Sequence, residues 1–365
     1  MPMTTQPYNH LPALQQLDPT RFESAAILKK LVSAHRHLAE LKGLAQSIPN
    51  PPMLVSSLSL QEAKDSSAIE NIVTTHDELF RESLQPEASA SAATKEVVRY
   101  RQALAVGWHA MSQHNLLTLN HIKEIQAAIE QHNAGFRVQV GTVLKNNAGE
   151  TIYTPPSPEY LPALMNDLER FINEENTDPA IDPLIKMALI HYQFESIHPF
   201  SDGNGRTGRI INVLYLVKEG LLNSPILYLS RAIVRKKQDY YRLLQHVRDK
   251  DSWEEWVLYM LSAVEWTAKD TLQTVQAIKN KMSEYKQAIR GKYKFYSQDL
   301  INLLFFHPYC KIEAVELSLN VNRKTAASYL NSLTEDGFLQ KQKVGRDNYY
   351  INLALFNILT AEPVS

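Results

Sequence analysis

"PLIKMALIHYQFESIHPFSDGNGRTGRIINVLYLVKEGLL", residues 183–222, joins two apolar runs through a polar, glycine-rich turn. In the first run Leu184, Met187, Ala188, His191, Phe194 and Ile197 recur at spacings of three or four, which predicts a helix with one buried face. The second run, "RIINVLYLVKEGLL" (209–222), is apolar nearly all round and predicts a helix deep in a core. Between them "HPFSDGNGRTGR" (198–209) packs a histidine, an acid, three glycines and two arginines into twelve positions.

Physically, that turn is an anion cradle. Gly203 and Gly205 around Asn204 let successive N–H groups point into one concavity, at the partly positive end of the following helix. Arg206 and Arg209, three apart, reach the same side of a bound polyphosphate. Asp202 stands where a carboxylate could share Mg²⁺ with phosphate oxygens. His198, ahead of Pro199 at the end of the upstream helix, is placed to take a proton from an attacking hydroxyl.

Three other readings compete. "GNGRTG" also spells G-x-G-x-x-G, the dinucleotide fingerprint, but here it follows a helix rather than a strand, and Asn223 stands where an acid is expected. His191 and His198 as metal ligands have no i, i+4 spacing, and no H-E-x-x-H is present. A plain capping loop, with Asp202 as the cap, explains neither the arginines nor the histidine.

Outward from the turn, the rest of the chain is mostly helical in period. "GTVLKNNAGETIYTPP" (141–156) differs: Thr142, Val143 and Leu144, then Thr151, Ile152 and Tyr153, flank the turn formers Asn146, Asn147 and Gly149, which predicts a β-hairpin. "IPNPP" (48–52) and "QPEASASAA" (85–93) punctuate an N-terminal helical region. "IKNKMSEYKQAIRGKYK" (278–294), with six basic residues against one acid, reads as a solvated connecting helix. The 365 residues, 44% hydrophobic, suffice for two or three domains with a sizeable core. A net charge of −1 gives no global argument for nucleic acid or membrane, and one cysteine, Cys310, excludes an intrachain disulfide and a cysteine-cluster zinc site. Without a signal-like start or an apolar stretch near the roughly 20 residues of a membrane span, the expected setting is the cytoplasm.

The turn resembles the Fic motif, H-x-F-x-[D/E]-G-N-G-R-x-x-R, at every defined position: His198, Phe200, Asp202, Gly203, Asn204, Gly205, Arg206 and Arg209. Similarity extends over about residues 55 to 265, through "GFRVQVGTV" and "LYLSRAIVRKKQDYYRLLQHVRDKDSWEEWVLYML". The resemblance implies a mainly α fold, a Fic-type helical bundle with a small β-hairpin flap, and an enzyme moving AMP from ATP to a Ser, Thr or Tyr hydroxyl of a target protein. His198 would be the general base and Asp202 the Mg²⁺ ligand. Gly203, Asn204 and Gly205 would hold the α-phosphate, with Thr207 and Gly208 in the same nucleotide-binding stretch. Arg206 and Arg209 would hold the outgoing pyrophosphate. The flap, with Thr142, Val143, Thr151, Ile152 and Tyr153, would register the target by strand addition. Tyr240 and Tyr241 fall where the family has adenine-pocket aromatics, with core packing as the alternative.

"SSAIEN" (66–71) resembles the inhibitory signature [S/T]-x-x-x-E-[G/N] of self-restraining Fic proteins through Ser66, Glu70 and Asn71. Glu70 paired with Arg209 would occupy the place of the γ-phosphate; in some family members the same glutamate serves AMP removal. Ser67 to Glu70 also spells a capping box, S-x-x-E.

The tail from Lys311 to Asn352 reads helix, turn, helix, then a hairpin around Gly345, a winged helix-turn-helix by pattern. Arg323, Lys324 and Thr325 open the would-be recognition helix, with Lys341, Lys343 and Arg346 on the wing. Six basic residues against five acids make a thin electrostatic footprint, so DNA binding and protein docking or dimerisation both stay open. The expected organisation is an N-terminal helical region (1–100) with an inhibitory helix at about 57–80, a catalytic core (101–270), a basic connecting helix (271–294) and the winged helix (295–365). An enzyme is the first reading, since His198 stands with both arginines. A nucleotide-sensing DNA-binding regulator, and transfer of UMP or phosphocholine in place of AMP, are the alternatives. No membrane partner is expected, and a homodimer is left open.

Overall fold

Asp182 and His198 fence the first apolar run. The Asp182 carboxylate accepts from Leu184 N at 2.8 Å, Pro183 takes the first helical position, and His198 closes the helix in the left-handed region at φ 50°. The computed structural model describes residues 11–48, 51–84, 90–145, 148–174, 181–345 and 347–361.

In chain order these hold α1 (Ala25–Gln46), α2 (Pro51–Ile69), α3 (His76–Leu84), α4 (Ala92–Ser112), α5 (Leu119–Glu130), β1 (Leu144–Lys145), β2 (Thr151–Tyr153), α6 (Leu161–Asn173), α7 (Pro183–Ile197), α8 (Asn204–Lys218), α9 (Ser230–Arg235), α10 (Lys237–Lys250) and α11 (Trp253–Lys292). There follow α12 (Gln298–Phe306), β3 (Tyr309–Cys310), α13 (Ile312–Leu319), α14 (Arg323–Glu335), β4 (Gln340–Val344), β5 (Asp347–Ile351) and α15 (Leu353–Thr360). The fold is mainly helical with a small antiparallel strand pair, as the sequence leads one to expect. The chain divides into two units: the described residues within Met1–Ala39, Asp65–Asn71 and Arg99–Ala268, and those within Glu40–Lys64, Ile72–Val98 and Lys269–Ser365.

In the first unit α7 and α8 pack on each other, with α5 against α8 and α6 against α7. The expectation of one buried face on α7 is too modest: Leu184 through Phe194 are buried without a break. Neighbours cover α7 on every side, so even Lys186 is interior, its ammonium donating to Glu174 O at 2.9 Å. Trp256, at 0% exposure, donates its indole N–H to Ala188 O at 2.8 Å. Full burial of such an apolar side chain stabilises by about 1.5–3 kcal/mol. α8 is the deep helix its composition predicts, buried from Arg206 to Leu216.

The hairpin is shorter than the sequence suggests. Its pairing is Leu144 with Tyr153 and Lys145 with Thr151, a register that slips between Leu144 and Lys145. Thr142 and Val143 lie before β1, and Asn146 and Asn147 fall outside the described residues. The stretch 57–80 carries two helices rather than one, because α2 ends at Ile69 and Asn71 turns the chain at φ 64°. Ser67 to Glu70 therefore stand at the carboxyl end of α2, where a capping box has no N–H groups to satisfy.

In the second unit α13 and α14 pack together and the strands form an antiparallel sheet in the order β3-β5-β4. The β4–β5 hairpin pairs Lys341 with Tyr350 and Val344 with Asp347, and Gly345 takes φ 59° at its turn. α14 opens at Arg323, with the Asn322 side chain accepting from Thr325 N at 3.0 Å. The basic segment expected as a separate connector is the later part of the 40-residue α11.

Candidate active site

The loop between α7 and α8 is closed by a side chain. Asn204 Oδ1 accepts from Phe200 N at 2.9 Å and its Nδ2 donates to Phe200 O at 2.8 Å, so the amide is spent on holding the turn. Gly203, at φ 76°, is the N-cap of α8, and its own N–H goes to Asp202 Oδ1 at 2.6 Å. Asp202 is thus not the helix cap. Thr207 N bonds back to Gly203 O at 2.9 Å, which leaves the first-turn N–H groups of Asn204 and Gly205 without an acceptor inside the helix. They form the anion-facing edge.

Each glycine of the motif makes room for a carboxylate. A Cβ on Gly203 would stand 2.8 Å from Glu130 Oε1, one on Gly205 2.7 Å from Glu70 Oε1, and one on Gly208 2.8 Å from Glu195 Oε1. Glu70 lies just past α2 and bridges both arginines: Oε2 is 2.9 Å from Arg206 Nε, and Oε1 2.7 Å from Arg209 Nη2. Arg209 also donates through Nε to Ser66 Oγ at 2.7 Å and through Nη2 to Ser66 O at 3.0 Å. Arg206 reaches Glu130 Oε1 at 3.0 Å through Nη2, with Asp202 Oδ1 3.5 Å from the same atom. Burial alone would make the Arg209 guanidinium easier to deprotonate, but Glu70, then Tyr100, Tyr240 and Glu195, outweigh it and fix the charge. Asn71 Oδ1 accepts from Lys237 Nζ at 3.2 Å. Its positive φ explains why glycine or asparagine suits the position after the glutamate.

His198 adopts φ 50°, ψ 59°, uncommon for a residue other than glycine. Its Nδ1 is buried without a hydrogen-bond partner, which leaves Nε2 as the nitrogen for a substrate. Burial, then the Arg137 charge, lowers its pKa to about 4, so the imidazole is neutral at ordinary pH. Behind the turn Glu195 keeps Oε1 buried without a partner, and burial lifts its carboxyl to about 7.

The hairpin is rooted in α7. Tyr153 OH donates to Ser196 O at 2.8 Å, and the Arg248 guanidinium lies 3.7 Å over the Tyr153 ring. Tyr153 is therefore buried, unlike Val143, Thr151 and Ile152, which are exposed. Tyr240 is a core residue at 2% exposure, with its OH 2.8 Å from His191 Nε2, while Tyr241 is 44% exposed. Thr207 and Gly208 face the protein interior.

Sequence reasoning missed Glu130, Glu195 and Arg137; only Arg137 carried a local signal, inside "GFRVQVGTV". In the second unit Arg323 Nη1 is 2.6 Å from Glu313 and 3.5 Å from Glu316, Lys324 is exposed, and Arg346 lies outside the described residues. Among the described residues no group of three or more His, Cys, Asp and Glu could hold a metal, and no helix is long and apolar enough to cross a membrane.

Profiles of known families match three stretches: the Fic/DOC family N-terminal region at 28–109, the Fic/DOC family itself at 116–216, and the protein adenylyltransferase SoFic-like C-terminal domain at 281–355. The chain is 32% identical to the protein adenylyltransferase fic-1 of Caenorhabditis elegans over 123 residues, 34% of this chain and 23% of that protein. It is 44% identical to a probable protein adenylyltransferase of Aquifex aeolicus over 71 residues, 20% of this chain and 21% of that one. It thus spans about a quarter of the length of the curated relatives it matches. Among solved structures, a Fic family protein from Desulfovibrio desulfuricans aligns over 90% of this chain and 96% of its own at 19% identity and a TM-score of 0.58. Fic-1 from C. elegans aligns over 70% and 73% at 24% identity and 0.54. These likenesses give the fold, and with the complete motif and the three profile matches they place the chain in a family: it belongs to the Fic/DOC family.

Proposed function

We propose that this chain transfers AMP from ATP to a hydroxyl side chain of a target protein and is held in check by Glu70. The observation that carries the reading is one arrangement: the free N–H edge of α8, the neutral His198 imidazole, and two buried arginines that a single carboxylate bridges. The target hydroxyl attacks the α-phosphorus while its proton passes to His198 Nε2; the bond to the bridging oxygen breaks and pyrophosphate leaves toward Arg206 and Arg209. The N–H groups of Asn204 and Gly205 receive the charge that builds on the α-phosphate. Asp202, 70% exposed at the lip of the cradle, fits Mg²⁺, which takes one or two carboxylates beside phosphate oxygens and would neutralise charge there. Tyr241, partly exposed, would offer its ring to the base, and Val143, Thr151 and Ile152 would offer an exposed edge to the target.

Glu70 restrains the reaction because both arginines that should meet the β- and γ-phosphates are already engaged, so ATP binds with its α-phosphate misaligned for in-line attack. Labelled ATP supplied to His198→Ala in a Glu70→Gly background tests the assignment: transfer should vanish while ATP binding persists. Comparable transfer would sink it, and parallel reactions with UTP and a phosphocholine donor decide the transferred group.

For the second unit, the order α12, β3, α13, α14, β4, β5 supports a winged-helix reading. Protein docking is favoured over DNA binding, since Arg323 spends its charge on Glu313 and Glu316. A salt-sensitive gel shift with the intact chain would reverse that preference. A single, buried thiol, Cys310, suits a cytoplasmic setting.

A further inference from the structure

We propose that Arg137 is the positioning residue of the His198 base, its side chain and its own backbone N–H together tying the carbonyls of His198 and Pro199 to the root of the hairpin. This rests on the reading of His198 as the base.

Arg137 is 4% exposed. Its Nε donates to His198 O at 2.9 Å, its backbone N–H donates to Pro199 O at 2.9 Å, and its Nη2 donates to Pro156 O, three residues past β2. All three acceptors lie outside helices and strands, so no regular ladder would satisfy them. The constraint is needed, because a residue before proline favours extended geometry and a side chain other than glycine avoids positive φ, and His198 departs from both preferences at φ 50°, ψ 59°. Such a conformation persists only when its surroundings over-determine it. Donors to the two successive carbonyls of His198 and Pro199 do this, and the third bond makes the hairpin part of the same unit.

Charge points the same way. No carboxylate among the described residues pairs with Arg137, although a buried cation without one is costly. Its field falls on His198. Burial is the larger influence on that imidazole; Arg137 and, from α10, Arg248 lower its proton affinity, while the Glu195 carbonyl of α7 and the Glu70 carboxylate raise it. A cation held here for its hydrogen bonds alone would be better replaced by a neutral donor.

The test compares Arg137→Lys and Arg137→Gln in the Glu70→Gly background, with His198→Ala to assign the His198 resonance. Four quantities are read: kcat for AMP transfer, ATP affinity, thermal melting, and the His198 titration by NMR. For Arg137→Gln we expect the His198 pKa to rise by about one unit and kcat to fall by about tenfold or more, with ATP affinity nearly unchanged. Arg137→Lys keeps the charge but cannot span the two side-chain acceptors, so the titration should stay near the parent's while kcat still falls. If Arg137→Gln fails to fold, the lysine variant carries the decision alone. A parent-like kcat in Arg137→Lys, a parent-like titration in folded Arg137→Gln, or a loss of kcat matched by an equal loss of ATP affinity overturns the proposal. Failure of the base assignment would look different: transfer would survive His198→Ala, whatever Arg137 does to the titration.

Discussion

Glu70 and Arg209 meet over the α-carbon of Gly205, with Glu70 Oε1 2.7 Å from Arg209 Nη2 and 2.7 Å from the point where a Cβ of residue 205 would stand. The restraining carboxylate therefore overhangs the N–H edge that an α-phosphate would use. On the proposed reading it would restrain transfer by position as well as by charge.

Removing that carboxylate should release the reaction and loosen the fold. Glu70→Gly is expected to raise self-modification by at least about tenfold, since 1.4 kcal/mol suffices for that factor. It should also melt lower than the parent, because Arg209 loses its counter-ion in a buried site. ATP with Mg²⁺ should then raise the melting temperature of the variant more than that of the parent. A variant that melts lower yet transfers no faster leaves Glu70 as a structural ion-pair partner only.

The mounting of Glu70 can be tested apart from its charge. Asn71→Gly should be nearly neutral, since glycine accepts φ 64° freely, whereas Asn71→Val should cost about 1–2 kcal/mol and raise basal transfer by letting Glu70 drift. Equal basal transfer in the two variants would show that the turn does not hold the brake.

Glu195 gives a pH dependence with a definite sign. Its carboxyl is raised to about 7 in the folded chain, so it contributes stability that is complete below its ordinary, unfolded value of 4.5 and is lost as pH rises through 7. Melting temperatures of Glu195→Gln and the parent should therefore separate progressively between about pH 5 and 7 and level off above it, the variant melting higher. In Glu70→Gly the separation should shrink, because Glu70 raises the Glu195 pKa while Arg209 lowers it. A constant difference across that range would mean that Glu195 does not titrate there.

Tyr240→Phe separates the two roles weighed for that ring. Loss of its bond to His191 Nε2 should lower stability by about 1 kcal/mol and leave ATP affinity unchanged. Tyr241→Ala should do the reverse, weakening ATP binding with little effect on melting. Calorimetric binding in a Glu70→Gly background reads both.

Much of this is legible in the sequence. The spacing of the motif fixed the α7–α8 junction, and the signature at Ser66, Glu70 and Asn71 foretold the contact with Arg209, two local patterns naming one long-range pair. Glu130, Glu195 and Arg137 were not legible, because their meaning lies in partners that sequence proximity does not reveal: Arg206 is 76 positions from Glu130, and His198 is 61 from Arg137. Glu195 was further disguised by the periodicity of its run, which promised a polar face that α7 does not have. Ser67 to Glu70 misled in the other direction, since a four-residue pattern does not say which end of a helix it occupies.

The three glycines that face three carboxylates have a genetic consequence. A methyl at residue 205 would evict Glu70, as an activating change should, but would also crowd the N–H edge on which transfer depends. At residue 203 it meets Glu130 on a backbone at φ 76°, and at residue 208 it meets Glu195 and Phe194 at the α7–α8 contact. On the proposed reading, loss of restraint and loss of activity are thus inseparable at residue 205, while changes at 203 and 208 disturb the turn without reaching Glu70. A selection for unrestrained alleles should return changes at Glu70, Asn71 and Ser66, and leave the glycine codons silent.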